Sequence, residues 1–490
     1  MKFPYLRSAF RFKSPLGALR RAAPWAVLLS LPGLATAASA TRPNVLFIAI
    51  DDLRGDLGVL GVAHAQTPQL DRLAHSSRLF THHYTQVPTC GASRCALLRG
   101  LYPTAPAYVG NNAILETHAA WQAESLPAWL RQQGYATYAL GKITHYPGGL
   151  TGKDWNELPE ELPGAWTRCW LPDSPWKTPL AIMHGYANGK PRKPGVTPPW
   201  EAVDGPDETY PDAWIAGEAV AQLRRLAAGD TPWFFAVGFF KPHLPFAAPR
   251  SWHDRHAHDD IPAPEVAPGA RSGLSWSASG EMMRNYFHDG RDPREDPAYA
   301  AQLRRAYAAG VSYTDAQVGR VLDTLKELGL AEDTIVVLWS DHGFLTGEHA
   351  MWGKHTLYET ALRSPLMIRY PGLPAAGKAS DAIVETVDLY PTLLDLCGLP
   401  APAHLDGRSL RPQLEDPSAP TAKPAQAWWG KGRSLRNDRW HLIAYPGKTE
   451  DAPAVELFDM VHDRAELTNV APAHPDVVSQ LMSRLKRGAP

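Results

Sequence analysis

The chain has 490 residues, 44% of them hydrophobic and 20% charged. That length predicts a large domain with a smaller one beside it and a sizeable core. Lys and Arg number 49 against 50 Asp and Glu, a formal net charge of −1, so bulk charge gives no support to a nucleic-acid partner.

Residues 1–40 read as a secretory signal peptide. Arg7, Arg11, Lys13, Arg20 and Arg21 make a basic start, Trp25–Leu31 is a short apolar run, and Ala35-Thr36-Ala37 and Ala38-Ser39-Ala40 offer small-residue cleavage sites. A secreted or periplasmic protein is expected. No other apolar stretch is long enough for stable membrane insertion. Asn44-Val45-Leu46-Phe47-Ile48-Ala49-Ile50 is a continuous apolar run, as in a strand of a parallel sheet covered on both faces, and it ends in Asp51-Asp52. Residues 124–133 predict a helix, and 135–140 a strand ending at Gly141-Lys142. Residues 212–227 predict another helix, and 233–239 a strand ending near Lys241-Pro242-His243. Val318, Val321, Leu322, Leu325 and Leu328 follow helical spacing up to Gly329, and residues 334–340 form a second buried strand ending in Asp341-His342.

This is α/β order, with a central, mostly parallel sheet flanked by helices. Two strands from opposite halves of the chain deliver acidic residues at their carboxyl ends, where open α/β sheets bind ligands. Side by side, they make a cation site. The segments 146–210 and 247–295, rich in Pro, Trp and Gly, are expected to wall the pocket. Beyond Leu399-Pro400 the pattern changes. Residues 425–431, 433–445 and 455–459 read as short strands and 473–487 as a helix. The expected division is a leader over 1–40, a catalytic domain over 41–420 and a small C-terminal domain with an antiparallel sheet over 421–490.

One stretch stands apart: Cys90-Gly91-Ala92-Ser93-Arg94-Cys95-Ala96-Leu97-Leu98-Arg99-Gly100. A cysteine lies four residues before an arginine, with small residues between and an apolar turn behind. The chain's other cysteines are Cys95, Cys169 and Cys397. A Cys90–Cys95 disulfide is the structural alternative, and the pairing of the rest is open.

With Asp51-Asp52 and Ser340-Asp341-His342-Gly343, the Cys90 motif resembles the nucleophile and metal site of the sulfatase family, in the alkaline phosphatase-like superfamily. The likeness extends through Thr67–Ala74, Glu456–Asp459 and Glu466–Ala471. Three segments resemble the iduronate-2-sulfatase branch: Gly141–His145, Val237–Phe246 and Gly347–Lys354. In that branch, as here, two residues separate Lys142 from His145. Ala92 stands where Pro is commoner, and Arg99 replaces the usual Thr before Gly100.

The resemblance implies that a formylglycine-generating or sulfatase-maturating enzyme converts Cys90 to formylglycine. Hydrated, this aldehyde carries two hydroxyls on one carbon. One takes the sulfate covalently, and the other loses a proton so that the hemiacetal collapses and sulfate leaves. Asp51, Asp52, Asp341 and His342, with position 90, hold the cation. Hard oxygen donors favour Ca2+ or Mg2+, and the resemblance favours Ca2+. Arg94 holds the formylglycine hydroxyl and the metal-binding carboxylates. Lys142 and His145 meet the sulfate and second hydroxyl, with His145 as base. His243 and Lys354 bind sulfate and protonate the leaving oxygen. His355 helps to shape the mouth, and His82, His83 and His349 are read as core or loop residues. Asp154, Trp155, Trp166 and Lys177 are candidates for substrate contact. The implied partner is a sulfated carbohydrate, with a 2-O-sulfated uronic acid suggested by the branch. A phosphodiesterase or phosphonate hydrolase on the same fold is the alternative, and a non-catalytic glycan-binding relative is the third reading.

Overall fold

The computed structural model describes residues 42–146, 161–447 and 453–486. The expected leader lies outside them. Eight strands form the main sheet: β1 (Asn44–Ile50), β2 (Arg78–Tyr84), β3 (Ala136–Gly141), β4 (Arg168–Trp170), β5 (Trp233–Phe239), β6 (Thr334–Ser340), β7 (Leu366–Arg369) and β8 (Ala379–Glu385). Their order is β8-β2-β7-β6-β1-β5-β3-β4. Only β7 runs antiparallel to its neighbours.

The continuous apolar runs are buried on both faces, as expected. Leu46, Ile48 and Ile50 of β1 pack toward the helices Pro211–Leu226 and Pro297–Glu327, against Ile215, Leu223, Val318 and Val321. Val45, Phe47 and Ala49 face the other way, onto Leu97, Leu98, Leu389 and Leu393. Alternate side chains of one strand thus join two cores, which is what a sheet covered on both sides requires. The second helix ends near Gly329, which has φ 69°.

The register positions the site. Ile50 pairs with Phe239 on one side and Ser340 on the other, so Asp51 and Asp341 follow at the same level. Gly141 pairs with Gly238, which brings Lys142 to the same edge. Gly238 is needed here, because a Cβ on it would lie 2.1 Å from the Lys142 carbonyl oxygen.

The C-terminal sheet has four antiparallel strands, β9 (Ala425–Trp429), β10 (Gly432–Arg436), β11 (Trp440–Tyr445) and β12 (Ala454–Asp459). The single strand expected over 433–445 is two. Asn437 turns the chain, its Oδ1 accepting from the backbone N–H groups of Arg439 (3.1 Å) and Trp440 (2.7 Å). One face of this sheet packs on the helix Pro475–Lys486 through Leu435, Leu442, Leu457, Leu481 and Leu485. Its other face meets Tyr84, Leu345, Met351 and Leu357, which come from earlier in the chain.

Glu466 ties these parts together. Buried and at φ 55°, it accepts from the Glu359 N–H (2.8 Å) and His441 Nδ1, and lies 3.7 Å from His349 Nε2. Burial pushes its carboxyl up, but His441 and His349 outweigh that and hold it at about 2. The folded value lies below the ordinary one, so this stabilisation is present above about pH 4.3 and fades as pH falls toward 2. Glu466→Gln is expected to cost about 3–5 kcal/mol at pH 7. In urea unfolding, its gap from wild type should shrink below pH 4; a gap independent of pH contradicts the assignment.

Candidate active site

Four adjacent strands, β6, β1, β5 and β3, each end in polar residues that turn toward one point. β6 gives Asp341 and His342, and β1 gives Asp51 and Asp52. β5 leads to His243, and β3 leads to Lys142 and His145. Asp52 sits at φ 60°, a left-handed conformation that Asp tolerates better than most residues. Its N–H donates to Asp341 Oδ1 (3.1 Å), and its carbonyl accepts from the Tyr307 hydroxyl (2.7 Å).

Cys90 opens the helix Cys90–Arg99, all of whose residues are buried. Small and apolar residues with high helix propensity extend it, and Gly100 in the left-handed region ends it. Gly91 has no room for a side chain, since a Cβ would lie 2.1 Å from the Asn111 carbonyl oxygen. The departure at Arg99 is accommodated by packing: its guanidinium lies 3.8 Å from the Tyr108 ring centroid. Ser93 donates to the Asp341 carbonyl (2.6 Å).

Arg94 is fully buried. It donates to Asp341 Oδ2 (3.1 Å), Asp51 Oδ1 (3.2 Å), the Ile143 carbonyl (3.3 Å) and the Lys142 carbonyl. Lys142 Nζ pairs with Asp51 Oδ2. Lys354 Nζ donates to Asp52 Oδ1 (2.9 Å) and Oδ2 (3.1 Å), and lies 3.2 Å from Cys90 Sγ. Burial opposes the charge on Asp51, yet Lys142, His243 and Arg94 hold its carboxyl well below the usual range. Asp341 is pushed up to about 6 by burial and by Asp51 beside it. Burial, aided by Lys354, holds His342 at about 3, a neutral imidazole. Its Nδ1 donates to the Gly343 carbonyl (3.0 Å), which leaves the Nε2 lone pair facing Cys90 Sγ (3.3 Å), Asp52 (3.5 Å) and Asp341 (3.7 Å).

These donors fit a hard divalent cation. Asp51, Cys90, Asp341 and His342 bring ligand atoms within 4.8 Å of one another, and so do Asp51, Asp52, Cys90 and His243. Each set has two carboxylates and one imidazole beside position 90. The structure brings Asp51, Asp52, Cys90, Arg94, Lys142, His145, His243, Asp341, His342 and Lys354 to one place at the carboxyl edge of the sheet. Cys90 is a free thiol and not bonded to Cys95. Burial, and then Asp51, push that thiol well above its ordinary value.

His145 is buried beside Lys142, and its Nδ1 has no hydrogen-bond partner among the described residues. Burial and the Lys142 charge hold it well below its ordinary value, so it stands neutral. Lys241, from the Lys-Pro-His segment, has a structural place. Its Nζ donates to the carbonyls of His184 (2.9 Å), Pro245 (2.9 Å) and His243 (3.3 Å), which pins the loop that carries His243.

The remaining candidates have these places. Trp166 is core and not pocket wall: it stacks on Phe234 with centroids 6.1 Å apart and planes at 14°. Lys177 is exposed and pairs with Asp173. Asp154 and Trp155 lie outside the described residues. His83 is buried in β2, hydrogen-bonded to Ser364 and Thr386. His355 stacks on Trp429, 4.8 Å between centroids. Sequence reasoning missed Glu281, which faces His243 and Lys354. Nothing in its local pattern marks it.

A mostly parallel sheet with a buried acid, cysteine and cation cluster at its carboxyl edge defines a hydrolase of the alkaline phosphatase-like class. The sulfatase family profile matches residues 43–399, and the profile of the N-sulphoglucosamine sulphohydrolase C-terminal region matches 347–489. The chain belongs to the sulfatase family. It is 31% identical to a sulfatase from Formosa agariphila over 452 residues, covering 88% of this chain and 83% of that protein. It is 31% identical to iduronate 2-sulfatase of Mus musculus over 418 residues, covering 76% and 72%. Among solved structures it resembles a phosphonate monoester hydrolase from Silicibacter pomeroyi, with TM-score 0.72 and 25% identity, covering 91% of this chain and 95% of that one.

Cation binding should be measurable without turnover. A divalent cation at a hundred times its Kd is expected to raise the unfolding free energy by about 2.7 kcal/mol. Asp341→Asn should lose that increment in thermal unfolding with and without Ca2+ or Mg2+. An undiminished increment in the variant would place the cation elsewhere.

Proposed function

We propose that this sulfatase cleaves sulfate monoesters of a sulfated sugar from a glycosaminoglycan-type polysaccharide, with formylglycine at position 90 and Ca2+ in the carboxylate cluster. The finer reading is iduronate-2-sulfatase-like action on a 2-O-sulfated uronic acid. The observation that carries it is the gathering of Lys142, His243 and Lys354 about one buried side chain, Cys90, and the cation donors beside it, with His145 buried next to Lys142. Similarity to the mouse enzyme supports the branch. A maturation enzyme and export through the basic, apolar leader belong to the same proposal.

Asp51, Asp52, Asp341 and His342 would hold the cation, which would supply charge neutralisation and a lower pKa for a hydroxyl at position 90. Arg94 fixes Asp51 and Asp341 from behind, so the donors need no rearrangement. Lys142 and Lys354 supply positive charge for the sulfate oxygens. His145, neutral and with Nδ1 unpartnered among the described residues, takes a proton from the second hydroxyl of position 90. His243 donates its Nδ1 proton to the Leu244 carbonyl (2.7 Å), which leaves Nε2 to serve the leaving oxygen together with Lys354.

Peptide mass spectrometry of protein made with a maturation enzyme should find the sulfur of Cys90 replaced by an aldehyde oxygen, with Cys95 unchanged. Cys90→Ser should form the sulfated intermediate but release it slowly. Wild-type turnover in that variant would sink the aldehyde mechanism. His243→Ala and Lys354→Ala are each expected to slow release of sulfate from a sugar by about 10²–10⁴-fold. Nitrophenyl sulfate, whose leaving group barely needs a proton, should suffer much less. Equal losses would reduce both residues to sulfate binding. A higher kcat/KM on phosphonate monoesters than on any sulfated sugar would favour the phosphonate alternative.

A further inference from the structure

We propose that Glu281 is a positioning residue that holds the His243 imidazole and the Lys354 ammonium together as one proton-donating pair on the leaving-group side of position 90. This rests on the roles given to His243 and Lys354 above.

Glu281 comes from the 247–295 insertion, on the short helix Gly280–Asn285. One carboxylate oxygen, Oε1, lies 3.5 Å from His243 Nε2, and the other, Oε2, lies 3.5 Å from Lys354 Nζ. Oε2 is buried and, among the described residues, has no hydrogen-bond partner, so the carboxylate is left to face His243 and Lys354. Its side chain is 18% exposed, while those of His243 and Lys354 are 4% and 2%. The carboxylate thus closes the pair on the side open to substrate.

The backbone around Glu281 is anchored on both sides. Met282 is fully buried in the main core, and its carbonyl accepts from His288 Nε2 (2.9 Å). Ser279, at φ 55°, accepts through Oγ from the Trp352 N–H (2.6 Å). Trp352 lies two residues before Lys354, so Glu281 and Lys354 are held to one local frame. His243 has its ring fixed from its own side, by Nδ1 on the Leu244 carbonyl.

A carboxylate in a pocket for an anion weakens binding unless it does something else there. Among the described residues, the other carboxylates near His243 and Lys354 are Asp51 (4.0 Å) and Asp52 (2.9 Å), and both belong to the cation cluster. Glu281 is left as the counter-charge of the proton donors. Lys354 and His243 outweigh its burial and keep its carboxyl well below the usual range. It stands as a charge and not as a rival acid.

The test uses holoenzyme with Ca2+ bound and formylglycine at position 90 verified by mass spectrometry. Glu281→Gln, Glu281→Asp and His243→Ala are compared on aryl sulfates of graded leaving-group acidity. Glu281→Gln should lower kcat by about tenfold or more on the poorest leaving group and by less than about threefold on the best, with KM nearly unchanged. Glu281→Asp, which keeps the charge, should recover part of the loss. Thermal unfolding of each variant checks that the fold is retained. An equal loss across the series, or a change confined to KM, would overturn the proposal. If His243→Ala is selective for poor leaving groups and Glu281→Gln is not, only the role of Glu281 fails. If His243→Ala is not selective, the acid assignment itself fails.

Discussion

Arg94 is the interaction on which the site depends. Its guanidinium, with no exposed surface, spans Asp51 and Asp341 and also donates to two backbone carbonyls at the end of β3. Three buried carboxylates, Asp51, Asp52 and Asp341, face three buried cations, Arg94, Lys142 and Lys354. Removing one member would leave a buried charge without its partner, which is far worse than never having buried it. Such a network adds little net stability, because each ion loses its water. What it secures is geometry. A planar guanidinium with fixed donors holds two carboxylates at a set spacing in a way that a lysine ammonium cannot.

That network can exist because the surrounding sheet is apolar on both faces. β1, β5 and β6 carry almost nothing but hydrophobic side chains along their length, and polarity begins where each strand stops. Parallel pairing in register brings those stops to one level. Residues nearly 300 positions apart, Asp52 and Asp341, thereby come within a hydrogen bond. The order of strands across the sheet is also the order of chemistry across the site: His342 and Asp341, then Asp51 and Asp52, then His243, then Lys142 and His145. The Cys90 helix approaches from one face and sets its first residue among them.

This layout explains what was legible in the sequence. A buried parallel strand is a run of apolar residues with an abrupt polar end, so β1, β3, β5 and β6 could be read directly, together with the residues that follow them. β2 could not. Arg78, Thr81, His82 and His83 interrupt its pattern, and they are satisfied only by distant partners such as the carbonyls around Lys378 and Leu414, Ser364 and Thr386. The antiparallel direction of β7 is likewise set by its neighbours. Trp166 illustrates the opposite error: an aromatic residue in a loop-rich segment suggests a sugar platform, but here it seals the sheet against Phe234. Glu281 lay beyond sequence reasoning because its meaning arises from a helix placed by Met282 and Ser279, not from any local spacing.

The depth at which Cys90 lies has a consequence of timing. Its side chain is 1% exposed, enclosed by His342, Lys354 and the carboxylates. The folded molecule offers almost no surface at this sulfur to any second protein. Whatever alters this sulfur must act while the chain is still open. The folded molecule then carries the result as a permanent record. A copy that closes first keeps the plain thiol, sealed in until the chain unfolds.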